Sequence, residues 1–357
     1  MEISIKPNPA CASQEARNQI LAAPGFGKFF TDHMVSVTWS QGRGWHDAQV
    51  MPYGPIAMDP ASAVLHYAQE IFEGLKAYRH ADGSVWSFRP QANAQRFNRS
   101  AARLAMPEVP EDLFLRSIGE LVKIDAAWVP SGGENSMYLR PFMFASEAFL
   151  GVRPANEYKF MVIASPVGAY FSGGVKPVKI WLSSNYARAA FGGTGAAKCG
   201  GNYAAGLLAQ MEASERGCEQ VCFVDATEHK WIEELGGMNL YFVFKDGTLV
   251  TPPTKGTILE GITRGSLLAL AGEQGLKPVE RPISVDEWRS GVTSGAITEV
   301  FACGTAAVIT PVGKLVWEGG AVGDEKMGET TLRLRNALLD IQYGRAPDRH
   351  GWMSKLC

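Results

Sequence analysis

Cysteine is scarce in this sequence, and basic runs, long apolar runs and low-complexity tracts are missing. The six cysteines, Cys11, Cys199, Cys218, Cys222, Cys303 and Cys357, form no C-x-x-C pair in 357 residues. This excludes a disulfide framework and predicts a reduced, cytoplasmic setting. Cys218 and Cys222 have no histidine nearby, so they read as core thiols, and no metal site is expected. The uncharged stretch 160–175 carries Pro166, Gly168, Gly173 and Gly174 and is too short for a bilayer span. The opening Met1-Glu2-Ile3-Ser4-Ile5-Lys6 lacks a basic segment followed by an apolar one, so no secretory signal is expected. Neither sign of charge dominates: Lys and Arg total 34, Asp and Glu 36, and the net charge is −2. A nucleic acid or membrane surface held by bulk charge is therefore not expected as a partner.

What is present is an ordinary globular composition, 46% hydrophobic with 39 glycines and 20 prolines spread along a chain long enough for about two domains. Runs at 75–79 and 85–88 flank an Asp82-Gly83 turn and predict a hairpin. Ala94, Phe97, Ala101 and Leu104 recur at helical spacing, with Arg96, Arg99 and Arg103 assigned to other faces and Pro107 beyond the end. Strands are predicted at 138–144 and 158–164. The Gly- and Pro-rich stretch 165–177 reads as an interdomain loop, which gives domains at 1–164 and 178–357. Beyond it come a strand at 178–183, a Gly-rich loop, one helix from Asn202 as N-cap to Glu215 with Gly217 as its stop, and strands at 221–224 and 240–244. There is no internal repeat, and the whole reads as α+β.

The most informative segment is Gly192-Gly193-Thr194-Gly195-Ala196-Ala197-Lys198-Cys199-Gly200-Gly201-Asn202-Tyr203, one lysine inside five glycines. It fails the Walker spacing, because Gly195 lies three residues before Lys198 and Cys199 follows it. It also fails G-x-G-x-x-G, because Lys198 stands at the third glycine position. A surface turn with a solvated lysine fits the pattern as well as a lysine desolvated for Schiff-base chemistry. Such chemistry on pyridoxal phosphate needs a carboxylate for the pyridine nitrogen, a donor at the ring hydroxyl and an anion cup. Gly261-Ile262-Thr263, before the apolar-periodic Leu267-Leu268-Ala271, and Gly304-Thr305-Ala306-Ala307, after a strand-like run, are two candidate cups.

These residues resemble the branched-chain amino acid aminotransferases, pyridoxal phosphate enzymes of fold type IV. Seven blocks match in order: Phe30-Thr31-Asp32-His33-Met34, Leu65 through Ala77, Tyr138-Leu139-Arg140-Pro141, the lysine loop, Glu233 through Asn239, Phe301 through Ala306, and Gln342-Tyr343-Gly344. Gly25-Phe26-Gly27-Lys28 and Glu234-Leu235-Gly236-Gly237-Met238-Asn239 look most like the actinobacterial type. The resemblance implies a two-domain fold, with a smaller N-terminal α/β domain and a larger C-terminal, β-barrel-like, cofactor-binding domain.

It further implies that Lys198 forms the Schiff base and shuttles the proton, that Glu234 pairs with the pyridinium nitrogen, and that Tyr203 stands beside the ring oxygen. Arg96, Gly261, Ile262, Thr263 and Thr305 would serve the phosphate, with Arg188 a second basic residue near the cofactor. Phe30, Tyr67, Phe72, Tyr138 and Tyr170 would wall the side-chain pocket. Arg140 would take the side-chain carboxylate of L-glutamate, and the amides of Thr305 and Ala306 the α-carboxylate. Leu150 and Val152 match a loop that reaches the neighbouring subunit's site in the family's homodimer. The implied reaction is ping-pong amino transfer between L-leucine, L-isoleucine or L-valine and 2-oxoglutarate.

Two positions depart from the pattern. Ala307 and Thr310 stand where some members carry a redox C-x-x-C, so no thiol switch is expected, and Gly237 replaces a hydroxyl residue. A D-amino acid aminotransferase or aminodeoxychorismate lyase shares the fold, but Arg140 and the Phe72-Glu73-Gly74 block favour the branched-chain enzyme. A nucleotide-binding regulator is disfavoured by the failed phosphate-loop spacing.

Overall fold

The computed structural model describes residues 1–168 and 174–357. The strands are β1 (Ser4–Ile5), β2 (His33–Ser40), β3 (Gly44–Pro52), β4 (Glu70–Phe72), β5 (Leu75–Arg79), β6 (Val85–Phe88), β7 (Ser136–Ala145), β8 (Glu157–Val167), β9 (Val178–Leu182), β10 (Gln220–Val224), β11 (Ile232–Leu235), β12 (Asn239–Phe244), β13 (Thr248–Thr251), β14 (Lys277–Glu280), β15 (Ile297–Gly304), β16 (Val308–Trp317), β17 (Gly320–Val322) and β18 (Met353–Lys355). The helices are α1 (Gln14–Ala22), α2 (Ala63–Tyr67), α3 (Pro90–Arg103), α4 (Glu111–Ile124), α5 (Gly200–Ala204), α6 (Leu207–Glu215), α7 (Ile262–Glu273), α8 (Val285–Ser294) and α9 (Glu329–Gln342). They form two compact units, one of Met1–Ser172, Ala197–Gly200 and Ile341–Cys357, the other of Gly173–Ala196 and Gly201–Asp340.

The first unit is built on a sheet ordered β1-β3-β2-β8-β7-β5-β6-β18, with β4 on β7. The hairpin of β5 and β6 forms as the Asp82-Gly83 signal demands. Gly83 takes φ 85°, a left-handed value costly for other residues, and Asp82 Oδ1 accepts the Ser84 N–H at 3.0 Å. Helices α3 and α4 cover one face. Their Phe97 and Phe114 meet Phe160 of β8 in a triangle of rings with centroids 5.5 to 5.8 Å apart. All three rings are fully buried, each contributing about 2 kcal/mol by its removal from water. Helix α3 begins at Pro90 and ends before Pro107, as the pattern indicates. Arg99 and Arg103 are exposed, but Arg96 is buried with Asn93 and Ser100, against the expectation that it would face outward.

The second unit carries a mixed sheet ordered β11-β10-β9-β16-β15-β12-β13-β14, with β17 on β16. Strand β9 runs parallel to both neighbours, and β15 is antiparallel to both of its own. Helix α6 packs Ala209 and Ala213 with Val221 and Phe223 of β10.

Four expectations about organisation are corrected. The interdomain loop does not begin at 165, because β8 stays paired with β7 through Val167. Pro166 is tolerated there because β2 pairs with β8 only as far as Val162, so no second ladder needs its missing N–H. The C-terminal residues 341–357 fall in the first unit, since β18 pairs with β6 and satisfies its outer edge. With them, the first unit holds the larger share of the chain, not the smaller. Finally, the helix expected from Asn202 to Glu215 is two helices broken before Leu207, where Gly206 lies under the Phe223 ring. Asn202 lies inside α5 instead of capping it, and its amide pairs with Thr194, donating to the carbonyl at 2.8 Å and accepting the hydroxyl at 2.7 Å.

Candidate active site

Lys198 belongs to the first unit, not to the second where the sequence reading placed it. Its backbone explains why. The Lys198 N–H donates to Ser100 Oγ at 2.9 Å, and its carbonyl accepts the Phe72 N–H at 3.0 Å. The next turn is held by Glu70, whose carboxylate accepts the Gly200 N–H. Gly200 leaves room for this contact, since a Cβ there would force the Glu70 carboxylate to shift. The lysine therefore hangs between α3 and β4, with Nζ 4.8 Å from the Phe72 ring centroid.

Cations and anions around this amine are arranged asymmetrically. Arg96 grips the fully buried Glu73 with Nε on Oε1 at 2.7 Å and Nη2 on Oε2 at 2.9 Å. Asn93 Nδ2 at 2.6 Å and the Gly74 N–H at 3.0 Å complete the shell of Oε2. Burial pushes the Glu73 carboxyl up, but the Arg96 guanidinium, the hydrogen bonds and Lys198 outweigh it and hold it below its usual range. On the other side Arg140 lies 4.8 Å over the Phe72 ring and 5.4 Å over that of Tyr138, donating to the Tyr138 hydroxyl at 3.3 Å. Burial, then the Arg96 and Arg140 charges, push the Lys198 amine down from 10.5 to about 8, while Glu73 and Tyr138 oppose them. An amine this close to neutrality is a nucleophile and a proton carrier.

Folded Lys198 titrates near 8 and the unfolded residue near 10.5, so between these values the unfolded chain binds more protons and stability gains with rising pH. The unfolding free energy of the cofactor-free protein, minus that of Lys198→Met, should climb across this window in denaturant titrations. A flat difference would contradict the depressed amine.

The second unit holds a different constellation. Glu234, buried on β11, receives Arg188 Nη1 and the Leu259 N–H on Oε1, each at 2.8 Å, and Asn239 Nδ2 on Oε2 at 3.3 Å. Arg188 is fixed in turn by the Thr257 carbonyl at 2.9 Å, and Asn239 by the Leu259 carbonyl at 3.0 Å. Tyr203 of α5 lies beside Gly237, where a Cβ would stand 3.7 Å from its ring. Gly261 caps α7 without any side-chain bond, so the helix opens on Ile262 and Thr263 with its amide dipoles directed outward. A side chain at 261 would strike the Asn239 amide. Thr305 and Ala306 form the turn between β15 and β16.

Comparison with known proteins adds the lineage. The model of amino-transferase class IV matches residues 70–315. A probable branched-chain-amino-acid aminotransferase of Streptomyces coelicolor is 60% identical over 99% of this chain and 98% of its own. The branched-chain-amino-acid aminotransferase of Mycolicibacterium smegmatis is 57% identical over 100% and 98%. The chain belongs to the branched-chain-amino-acid aminotransferases. Among solved structures, the T.th. branched-chain amino acid aminotransferase with pyridoxamine 5′-phosphate superposes with a TM-score of 0.75 at 31% identity, covering 90% of this chain and 99% of that one. The α+β, two-unit architecture is that of the class IV aminotransferases.

The positions singled out from the sequence of this aminotransferase divide between the units. Lys198, Phe72, Tyr138, Arg140 and Arg96 form one cluster, and Arg188 meets Glu234 in the other. Phe30 instead stacks on Tyr53 at 5.0 Å. Tyr67 is 41% exposed, Leu150 71% and Val152 92%. Tyr170 lies outside the described residues. The sequence motifs assign no role to Glu70, Glu73, Asn93, Ser100 or Asn239. For two of them a signal exists: Asn93 and Ser100 recur with Arg96 at i, i+7 and i+3, a polar row interleaved with the apolar one on α3.

Proposed function

We propose that this chain moves the amino group of L-leucine, L-isoleucine or L-valine to 2-oxoglutarate, and back from L-glutamate, by ping-pong half-reactions with pyridoxal 5′-phosphate as cofactor. The observation that carries the reading is Lys198 itself, an amine pushed down to about 8 beside Phe72 and held at both its backbone groups. The residues present suit the cofactor chemically. The first unit offers a buried amine that releases its proton readily and a fixed guanidinium, Arg96. The second offers a buried carboxylate, a phenol and a helix start without a side-chain cap. Bound pyridoxal phosphate supplies the electron sink that lets the substrate Cα–H ionise.

Lys198 binds the cofactor and carries the proton at the substrate α-carbon. Glu234 keeps a negative charge for the pyridine nitrogen, with Arg188 close by, and Tyr203 serves the ring oxygen. Arg96, with the backbone at Gly261, Ile262, Thr263 and Thr305, holds the phosphate. Phe72 and Tyr138, beside Lys198 and Arg140, exclude water from the branched side chain, with Phe30 and Tyr67 extending the apolar wall. Arg140, balanced between two aromatic rings, accepts the glutamate carboxylate at the rim of that wall, so one pocket serves an apolar and an acidic substrate. The amides of Thr305 and Ala306 take the α-carboxylate.

The enzyme works in the cytoplasm as a homodimer, in which the exposed Leu150 and Val152 reach the partner's site. No helix among the described residues is long and apolar enough to cross a membrane.

The visible spectrum tests this reading. Protein loaded with pyridoxal phosphate should be yellow and should bleach on adding L-leucine, then recover with 2-oxoglutarate. Colour that responds to D-alanine and not to L-leucine would move the chain to the D-amino acid enzymes, and a protein that never turns yellow would remove Lys198 from its role.

A further inference from the structure

We propose that Glu73 and Ser100 are positioning residues that close a ring of bonds around Lys198, with Glu73 also serving as the counter-charge for Arg96. The inference rests on the aminotransferase reading above and adds residues that reading leaves without a role. The ring can be followed bond by bond. The Phe72 N–H donates to the Lys198 carbonyl at 3.0 Å. Glu73, next in the chain, takes the Arg96 fork at 2.7 and 2.9 Å. The Arg96 carbonyl accepts the Ser100 hydroxyl at 3.1 Å. Ser100 accepts the Lys198 N–H at 2.9 Å and so completes the circuit. Asn93 braces it by spanning Glu73 and the Gly74 carbonyl, at 2.6 and 3.3 Å.

Each component has a physical reason to be there. A guanidinium held at two nitrogens by one carboxylate has a fixed plane as well as a fixed position, which a single bond would not give. Glu73 is wholly buried, so its charge acts on its surroundings with little screening by water. Around Lys198 stand Glu73 between β4 and β5, Arg96 on α3, and Tyr138 and Arg140 on β7, with Glu70 of β4 at the next turn. Glu73 is the anion opposing the two arginines. It keeps the amine from being driven still lower while denying Arg96 freedom to turn toward it.

The test uses holoenzyme reconstituted with pyridoxal 5′-phosphate, reading cofactor affinity by fluorescence quenching and the pH midpoint of the visible band. Glu73→Gln keeps the shape and removes the charge. It should weaken cofactor binding about tenfold or more and lower the pH midpoint by about one unit, since losing a neighbouring anion makes a cation release its proton earlier. Glu73→Asp keeps the charge and shortens the reach, so binding should weaken while the midpoint stays near that of wild type. Ser100→Ala should weaken binding about threefold to tenfold with the midpoint unmoved. A Glu73→Gln holoenzyme with wild-type affinity and midpoint would overturn the proposal. If that variant does not fold, Ser100→Ala decides, and wild-type affinity there overturns it. A wild-type protein that takes up no cofactor would instead overturn the aminotransferase reading and this inference with it.

Discussion

Lys198→Ala is expected to yield a folded protein that stays colourless with pyridoxal phosphate and transaminates at least about four orders of magnitude more slowly, since in the proposed reaction one group provides both nucleophile and proton carrier. Folding should survive because what anchors this segment is backbone. The 198 N–H to Ser100, the carbonyl to Phe72 and the Gly200 N–H to Glu70 all persist without the side chain. The deleted side chain is a desolvated cation held near Arg96 and Arg140, so its loss relieves repulsion in the cofactor-free protein. Circular dichroism should match wild type, and the melting temperature without cofactor should be equal or slightly higher. Cofactor added to wild type should raise its melting temperature by mass action, and the variant should show little of this gain. Turnover within tenfold of wild type would show that the chemistry does not pass through this amine.

The lysine was legible in the sequence only as one of two equal readings. Five glycines around Lys198 state that the backbone is crowded and say nothing of what surrounds the amine. The deciding facts come from residues about a hundred positions away: Phe72, Glu73, Arg96 and Ser100 create the burial and the charge balance. No local pattern reports such distances. The hairpin at Asp82-Gly83 and helix α3 were readable because a turn and a periodic face are local properties. The fate of the C-terminal strand was not, because β18 is assigned by an edge on β6 that the intervening chain conceals. The helix break before Leu207 was missed because Gly206 looks like a tolerable interior glycine until Phe223 is placed against it. Resemblance to a family carried roles that local chemistry could not, yet it passed over Glu73 and Ser100, whose work is done on other residues.

Glu234→Gln should prove the second most damaging change, and its geometry separates charge from shape. Glu234 gathers a guanidinium, a backbone N–H and an amide on its two oxygens. Alanine would leave the Leu259 N–H without its acceptor and the buried Arg188 guanidinium without its counter-charge, at a cost of about 3 to 5 kcal/mol for a broken buried pair. Glutamine retains an acceptor for Leu259 and fills the same volume, so the stability loss should be smaller, about 2 kcal/mol, with Arg188 still held by the Thr257 carbonyl. Its catalytic cost should remain large. Without a fixed negative charge for the pyridine nitrogen, charge developing in the transition state loses its complement, and kcat should fall about 100- to 1000-fold. Cofactor affinity should fall far less, because Lys198 and the phosphate contacts are intact. The split is the diagnostic: stopped-flow measurement of the first half-reaction with L-leucine should slow in proportion to kcat while the yellow colour persists. An unchanged half-reaction would leave Glu234 as an anchor for Arg188 alone, and equal losses in affinity and rate would place its role in binding rather than in stabilising the departing electron pair.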